Sequence, residues 1–312
     1  MNGFIRPFQR GMSVRAIVDL VPGPSIAGDP ERIVRGVGAL SPGHGGALAF
    51  CDARDAAERV ATSAASIIAV AFPMQPGPAQ TLLVVDDPRA WFISAVAALL
   101  PESCRPGEPA IGIHPTARVH TDAVVSPAAA IGEHVTIGAG TRVGSGAVIY
   151  AGCSIGAGCS IGPGAVIGWV GLAYHQCKDG RRVFFPHLGQ VRIGDWVDIG
   201  ANSCVCRGML SDTIIGNSAK IGSLVYLSHG TTIGDNSWVS ASAAVAGHSA
   251  LGDNTVLGIG AVLVDNVALE SGVIVGAGAV VTRAGKAGDR LVGVPARHAP
   301  DLRRFGPTPR DD

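Results

Sequence analysis

The chain has 312 residues, enough for two domains of ordinary size. Its 24 basic residues balance its 24 acidic residues, so no net charge favours nucleic acid or an anionic membrane surface as a partner. No apolar run approaches the roughly 18 residues that span a bilayer, and Pro, Gln and Gly interrupt the start, where a signal peptide needs an apolar core. The seven cysteines lack paired spacing, which argues against a disulfide framework. We therefore expect a cytoplasmic protein with no transmembrane segment.

Residues 1–110 are predicted to form a small α/β domain. Hydrophobic runs separated by breaker residues predict short helices and strands. In chain order these are a helix at Val14–Leu20, strands at Ile33–Val37 and Ala47–Phe50, a helix at Ala53–Ala61, strands at Ile67–Ala71 and Thr81–Val85, and a helix at Pro88–Leu100. Asp87 suits the N-cap of the last helix, with Pro88 at its first position.

Residues 111–297 carry an aliphatic residue at every sixth position. The pattern runs from Ile113 to Ile167, resumes from Ile193 to Val205, and continues from Ile215 to Val281. A hexapeptide period is typical of a parallel β-helix, and three hexads make one triangular coil of about eighteen residues, so roughly eight coils are predicted. The aliphatic residue and a small residue two positions before it point inward, because strand side chains alternate. Cys153 and Cys159 occupy such small positions and are predicted to lie in the core.

This pattern resembles the left-handed β-helix of the hexapeptide acyltransferases. The resemblance predicts a mainly β fold, a left-handed parallel β-helix with a small N-terminal α/β domain, and a tail at residues 298–312. It also implies a homotrimer with active sites in the clefts between subunits. A purely structural β-helix without chemistry is the alternative.

The amino-terminal segments AASIIAV and TLLVVDDPRAWFISAVAALL resemble the nucleotide-binding domain of the UDP-3-O-acylglucosamine N-acyltransferases of lipid A biosynthesis. In that family, an Asn and an aromatic residue in a loop help to hold the uracil ring. The corresponding loop here contains Asp52 but neither of those residue types. Asp52 is therefore a candidate substrate contact, and an inert packing domain remains the alternative.

The hexad pattern is interrupted between Trp169 and Arg192, and a long loop of this kind tends to carry function. The segment resembles a family loop that borders the sugar and acyl pocket. Tyr174 matches that loop, and His187 replaces a family Gln, so the resemblance implies a substrate lid that contains both residues. Basic residues at its tip suit either a phosphate contact or a solvated surface. These residues are Lys178, Arg181 and Arg182.

A second, shorter interruption follows Val205. The family carries Asp-Arg-Gly at this place, whereas this chain reads Cys206-Arg207-Gly208. The resemblance makes Arg207 a candidate substrate-binding residue. The carboxylate that precedes it in the family is replaced by a thiol.

His229 is the candidate catalytic base. It follows Leu227 and Ser228 where the family has Ile-Ala-His-Asn, whose His is the general base. Acyl transfer to an amine needs a group that takes the proton, and imidazole titrates near the working pH. The tetrahedral oxyanion needs a hydrogen-bond donor, and the resemblance assigns this role to the backbone N–H of Gly247.

His248 lies nineteen residues after His229, about one coil further along, and is a second catalytic candidate. A second histidine of the family falls at Asn266 here, so its role is either lost or taken over by His248. Asn266 stays a candidate substrate contact. Asp212 and Asp235 are the candidate carboxylates for orienting His229, although Asp235 suits a corner of the coil better.

The carboxyl-terminal segments Gly276–Thr282 and Val292–Arg297 resemble the closing coil and the Gly-x-Pro-Ala turn of hexapeptide acyltransferases. That turn often lies along the pantetheine of the acyl donor. The resemblance implies a UDP-linked amino sugar as acceptor, a 3-hydroxyacyl thioester of acyl carrier protein as donor, and no bound cofactor or metal. The short tail and the altered uracil loop favour one alternative, a coenzyme A donor of short acyl groups. Cys206 and Asn266 motivate another, a non-catalytic paralogue.

Overall fold

The computed structural model describes residues 5–53, 55–101 and 106–298, so the predicted tail after His298 lies outside the described residues. The chain divides into two compact units. The first comprises the described residues up to Pro106 together with Leu172–Gly189 and Met209–Ser211, and the remaining described residues form the second. Within the described residues, no helix has the length and apolar character needed to cross a membrane.

The first unit contains a six-stranded sheet and three helices. Its strands are β1 (Ile5–Ser13), β2 (Ser25–Ala27), β3 (Ile33–Gly38), β4 (Ala47–Cys51), β5 (Ile67–Val70) and β6 (Thr81–Val84), and its helices are α1 (Val14–Leu20), α2 (Ala56–Thr62) and α3 (Pro88–Leu99). The sheet order is β1-β3-β4-β5-β6-β2, with the four central strands parallel and the two edge strands antiparallel. All seven predicted elements are present, and the Asp87 carboxylate caps α3 by accepting the Ala90 N–H at 3.0 Å.

The edge strands β1 and β2 were not predicted. β1 includes Pro7 and Gly11, two residues that break strand patterns in sequence but are tolerated at a sheet edge. Pairing with β3 stabilises β1, and this long-range contact has no local signal. Strand β1 therefore forms because of its tertiary pairing with β3 and not because of a local sequence preference.

The long interruption forms a hairpin of the first unit. Tyr174–Gln176 pairs antiparallel with Arg182–Phe184. The buried Phe185 beyond this hairpin lies 5.9 Å from the ring of Phe50 and 6.1 Å from the ring of Phe92, measured between centroids. The sequence placed this segment within the repeat domain, whereas its apolar residues complete the core of the amino-terminal unit.

The second unit is a parallel β-helix with three sheets. The first sheet consists of Gly112–Ile113, Ala130–Ile131, Val148–Ile149, Val166–Trp169, Cys204–Cys206, Tyr226–Leu227, Ala244–Val245, Val262–Leu263 and Val280–Val281. The second consists of Arg118–Val119, Thr136–Ile137, Ser154–Ile155, Val191–Ile193, Thr213–Ile215, Thr232–Ile233, Ala250–Leu251 and Ala268–Leu269. The third consists of Val124–Val125, Arg142–Val143, Ser160–Ile161, Asp198–Ile199, Lys220–Ile221, Trp238–Val239, Val256–Leu257, Ile274–Val275, Arg290–Val292 and Arg297–His298, of which the last pair is antiparallel.

The hexad aliphatic residues form the core of this unit and stack on one another from coil to coil. Ile149 pairs in register with Ile131 on one side and with Ile167 on the other. The small inward positions are buried as expected, and Cys153 and Cys159 belong to the same core cluster. The first sheet has nine strands and the second has eight, in agreement with the roughly eight coils that the spacing predicts.

Glycine after the aliphatic residue is required where coils approach closely. A methyl group at Gly138 would lie 2.6 Å from backbone atoms of Gly156 and Ala157 in the next coil. A backbone contact of this kind cannot be relieved by a rotamer change. Tight stacking of the coils therefore explains the recurring glycine.

Both interruptions of the hexad pattern leave the helix at the same corner. Each lies between a strand of the first sheet and the next strand of the second sheet, after Val166–Trp169 and after Cys204–Cys206. The coils on either side keep their register, since Ile155 pairs with Ile193 and Ile193 with Ile215. Insertions are thus accommodated without disturbing the core.

We predict that the stability of the helix depends on its inward aliphatic residues. Ile161→Ala should lower the free energy of unfolding by about 2–5 kcal/mol, because Ile161 is 2 % exposed and its truncation leaves a cavity. The matched substitution Ile259→Ala, at a corner residue that is 64 % exposed, should change it by about 0.5 kcal/mol or less. Urea unfolding followed by circular dichroism measures both. Equal losses would contradict the assigned register.

Candidate functional site

Three consecutive coils bring the candidate catalytic residues together at the corner between the first and second sheets. His229, Gly247 and Asp265 each follow an inward aliphatic residue of the first sheet by two positions. Coils repeat every eighteen residues here, so these three positions stack directly. His248 and Asn266 occupy the next position of their coils.

The rings of His229 and His248 are in contact. Their centroids lie 5.0 Å apart with an interplanar angle of 64°. His229 is only 8 % exposed, whereas His248 lies at the surface. The His248 N–H also donates to the His229 carbonyl at 2.9 Å, which fixes the spacing of the two corners.

Gly247 provides the space in which the His229 ring lies. A methyl group at Gly247 would overlap the imidazole, with both ring nitrogens 2.9 Å away. The sequence predicted a catalytic role for the backbone of Gly247, and the structure adds a steric reason for glycine at this position.

Asp265 is a site residue that the sequence analysis missed. Its Oδ1 accepts the Gly247 N–H at 2.9 Å, and its charge acts on both imidazoles. The sequence did contain a signal, because His229, Gly247 and Asp265 follow one another at intervals of eighteen residues, which is one coil. Asp212 and Asp235 were the predicted partners of His229.

Those two carboxylates have other partners. Asp212 accepts from the Gln190 N–H at 2.9 Å and forms a short ion pair with Arg192. Asp235 accepts the Asn217 N–H at 2.7 Å at a corner after the second sheet. Asp235 is therefore a corner residue, as its sequence position suggested.

Hydroxyl groups hold the corner that carries His229. The Gly230 N–H donates to Thr213 Oγ1 at 2.9 Å, and the Thr231 hydroxyl donates to the Ser228 carbonyl at 3.0 Å. Thr213 and Thr231 are both fully buried. Gly230 has a φ of 66°, which a glycine adopts without strain. The backbone on both sides of His229 is thus fixed.

The environment keeps His229 neutral. Burial lowers its pKa below 6.5, the neighbouring His248 lowers it further, and the Asp265 carboxylate opposes both effects. Burial likewise lowers the pKa of His248 against the opposing effect of Asp265. Two neutral imidazoles beside one carboxylate can accept a proton and donate a hydrogen bond at neutral pH.

The Gly247 N–H is engaged in this structure. It donates to Asp265, so the carboxylate oxygen occupies the direction in which an oxyanion was expected to bind. Asn266 donates its own backbone N–H to the Gly247 carbonyl at 2.9 Å and has a φ of 60°. Asn266 therefore lies beside the histidine pair and continues the stack of corners.

Cys206 and Arg207 lie one coil before His229, at the end of the first-sheet strand and at the corner that follows it, and both are buried. Arg207 donates through Nε to the Gly168 carbonyl at 2.8 Å and through Nη2 to the Ala151 carbonyl at 2.6 Å, which joins neighbouring coils. The Cys206 thiol donates to the Tyr226 hydroxyl at 3.6 Å. A hydrogen bond with Cys204 and burial raise the pKa of Cys206, so a neutral thiol stands where the family carries a carboxylate.

The other predicted site residues belong to the first unit. Tyr174 is half-exposed on the hairpin and packs against Phe184 at 5.5 Å between ring centroids. His187 is fully buried, stacks on the same Phe184 ring at 5.3 Å, and contacts the Phe185 carbonyl through Nδ1 at 3.0 Å. Burial of this kind favours a structural role for His187.

Asp52 forms an ion pair with Arg89, with Nε and Oδ2 2.8 Å apart. The same guanidinium lies 5.3 Å from the centre of the Phe50 ring. Asp52 thus has a partner on α3, and a substrate that used it would compete with Arg89.

Comparison with known proteins agrees with the repeat architecture. The model of the bacterial transferase hexapeptide (six repeats) matches residues 134–168, and that of the hexapeptide repeat of succinyl-transferase matches residues 212–245 and 250–283. These matched residues all lie in the β-helix of the second unit. His229 falls within one of these matches and Asp265 within another.

Curated relatives include UDP-3-O-acylglucosamine N-acyltransferase of Coxiella burnetii, 47% identical over 68 residues, and UDP-3-O-acylglucosamine N-acyltransferase 1 of Francisella tularensis, 43% identical over 68 residues. The aligned segment covers 22% of this hexapeptide-repeat chain and 20% of each relative. The predicted resemblance to that family is thereby confirmed over this segment. Among solved structures, UDP-N-acetylglucosamine acyltransferase from Campylobacter jejuni is 21% identical, with 61% of this chain and 79% of that chain covered and a TM-score of 0.46.

We predict that the pKa of His229 responds in opposite directions to its two neighbours. Asp265→Asn should lower it further, because the carboxylate that favours imidazolium is removed. His248→Asn should raise it toward 6.5, because asparagine tolerates the φ of 57° at this position and removes the second ring. NMR titration of the His229 ring protons measures both shifts.

His134→Asn is the matched control, since His134 also has a positive φ at the same corner of an earlier coil. It should leave the titration of His229 unchanged. Shifts of the same sign in the Asp265 and His248 variants would contradict the electrostatic arrangement.

Proposed function

We propose that this protein is an N-acyltransferase that moves an acyl group from a thioester to the amine of a nucleotide-linked amino sugar. The observation that carries the proposal is the histidine pair with Asp265 on one corner of a hexapeptide β-helix. The partial match to relatives named UDP-3-O-acylglucosamine N-acyltransferase supports the choice of a UDP-linked amino sugar as acceptor.

His229 acts as the general base in this proposal. The amine nitrogen attacks the thioester carbonyl carbon, and His229 takes the proton that the nitrogen loses. Collapse of the tetrahedral intermediate breaks the C–S bond, and the imidazolium returns the proton to the departing thiolate. A lowered pKa suits the first step, because the ring must be neutral before attack.

His248 is the hydrogen-bond donor to the oxyanion in this scheme. Its ring adjoins His229 and lies at the surface, and its lowered pKa leaves it neutral with one N–H to donate. The Gly247 N–H, the donor expected from the sequence, is engaged by Asp265. Asp265 then fixes the Gly247 corner and balances the charge of whichever imidazole carries the proton.

We further propose that the protein is a homotrimer. Large apolar side chains are exposed on the third sheet and on the corner that follows it, including Leu224 (61 %), Trp238 (55 %) and Ile259 (64 %). Exposed apolar residues grouped on one face mark an interaction surface. A closed ring of three chains would cover this face on every copy.

Two donors are compatible with the same base. A 3-hydroxyacyl group on acyl carrier protein follows from the sequence resemblance, and coenzyme A thioesters of short acyl groups are the alternative. The succinyl-transferase repeat model, which matches residues 212–245 and 250–283, makes the coenzyme A donor worth testing directly. The non-catalytic alternative predicts binding without turnover.

Activity assays with the His229→Ala variant test the mechanism. Purified protein is incubated with UDP-amino sugars and a panel of acyl-carrier and coenzyme A thioesters, and products are detected by mass spectrometry. We expect transfer by the wild type and a loss of about 10²–10⁴-fold in kcat for His229→Ala, the usual contribution of a general base. His248→Asn should reduce kcat by about 10²–10³-fold, the usual cost of a missing oxyanion donor.

His134→Asn again serves as the control and should retain full turnover. The double variant His229→Ala/His248→Asn should lose little more than His229→Ala alone, because residues of one catalytic unit are not additive. Unchanged turnover in His229→Ala with an intact fold would overturn the mechanism, and no transfer from any donor would favour the non-catalytic alternative.

The trimer proposal has a separate test. Trp238→Lys places a charge on the apolar face and should shift the mass measured by light scattering from three chains toward one. Trp196→Lys is the control, since Trp196 is similarly exposed (64 %) but follows the second sheet. A wild type that is monomeric at micromolar concentration would refute the proposal.

A further inference from the structure

A second cluster of chemically active side chains lies in the first unit, on residues to which the proposed reaction assigns no role. It consists of Asp87, His175 and Cys177. Asp87 is the N-cap of α3, and His175 and Cys177 lie two positions apart on the first strand of the hairpin and just beyond it. Side chains two apart on an extended segment share a face, so both can point at Asp87.

The three ligand atoms are already close. His175 Nε2 lies 2.9 Å from both carboxylate oxygens of Asp87, and the nitrogen, oxygen and sulfur atoms of the cluster all lie within 4.8 Å of one another. Cys177 is buried, and the Asp87 and His175 side chains are about one-fifth exposed. The backbone holds the sulfur in place, since the Cys177 N–H donates to the Arg181 carbonyl at 2.8 Å.

These distances are near those of a tetrahedral zinc site. Zinc binds nitrogen and oxygen at about 2.0–2.2 Å and sulfur at about 2.3 Å, which places ligand atoms about 3.3–3.6 Å apart. To bind zinc, His175 Nε2 would have to move slightly away from the Asp87 carboxylate, and Cys177 Sγ would have to move closer to both groups. Both changes are within the reach of side-chain rotation, and the mixture of thiolate, imidazole and carboxylate favours zinc over magnesium or calcium.

We propose that Asp87, His175 and Cys177 form a zinc site that fixes the hairpin to α3. Three protein ligands leave a fourth position, which the partly exposed side of the cluster gives to water or another small ligand. The family resemblance implied no metal. Asp87 and His175 are almost ninety residues apart in the chain, and only the fold brings them together. The site is independent of the acyl transfer proposed above.

Metal binding by the full-length protein tests this inference. Protein freed of metal with a chelator is titrated with Zn²⁺ by calorimetry and with Co²⁺ by absorption spectroscopy. We expect one ion per chain, and tetrahedral cobalt with a thiolate ligand should give strong visible bands and a near-ultraviolet charge-transfer band. Cys177→Ala should abolish the charge-transfer band and weaken binding by at least about 100-fold, since even loss of an outer partner costs 10–100-fold.

Two variants separate ligation from folding. Asp87→Asn keeps a good N-cap for α3 but removes the carboxylate, so it should fold normally and bind zinc at least about tenfold more weakly. Cys51→Ala removes another buried cysteine of the same unit and should leave the cobalt spectrum unchanged. No binding by the wild type, or a charge-transfer band that survives in Cys177→Ala, would overturn the proposal.

Discussion

The stacking of inward aliphatic residues every eighteen residues is the constraint on which the second unit depends. It aligns the strands of successive coils in register, as Leu227 pairs with Val245 and Val245 with Leu263. A residue at one corner therefore meets the residue one coil later. Because the core sets this register, His229, Gly247 and Asp265 are brought together without any local interaction that selects them.

The corner between the first and second sheets combines this register with an unusual environment. Gly247 leaves the space that His229 occupies, and His248 closes one side of it. Burial and the second ring lower the pKa of His229, while Asp265 limits the shift. Two neutral rings beside a carboxylate are chemically able to accept a proton and to donate a hydrogen bond, which supports the proposed role of this corner.

The same corner also accommodates the two insertions, and the longer of them joins the other unit. Phe185 completes a core with Phe50 and Phe92, and His175 pairs with Asp87. A long loop in a solenoid is commonly interpreted as a lid over the active site. Here its packing makes it part of the amino-terminal unit, which is why the residues of the proposed zinc site come from segments far apart in the chain.

The sequence by itself determined the coil period, the inward positions and the main helices and strands of the α/β unit, and it selected His229 as a candidate base. Each of these rests on local periodicity or on a short motif. It did not reveal β1, the assignment of the hairpin or the roles of His187 and Arg207, whose buried contacts depend on long-range packing. Asp265 is an intermediate case. Its distance of one coil from Gly247 was visible in the sequence, but its hydrogen bond to Gly247 was not. Only the tertiary structure decided that this carboxylate, and neither Asp212 nor Asp235, acts on the histidine pair, because Asp212 is engaged by Gln190 and Arg192 and Asp235 by Asn217.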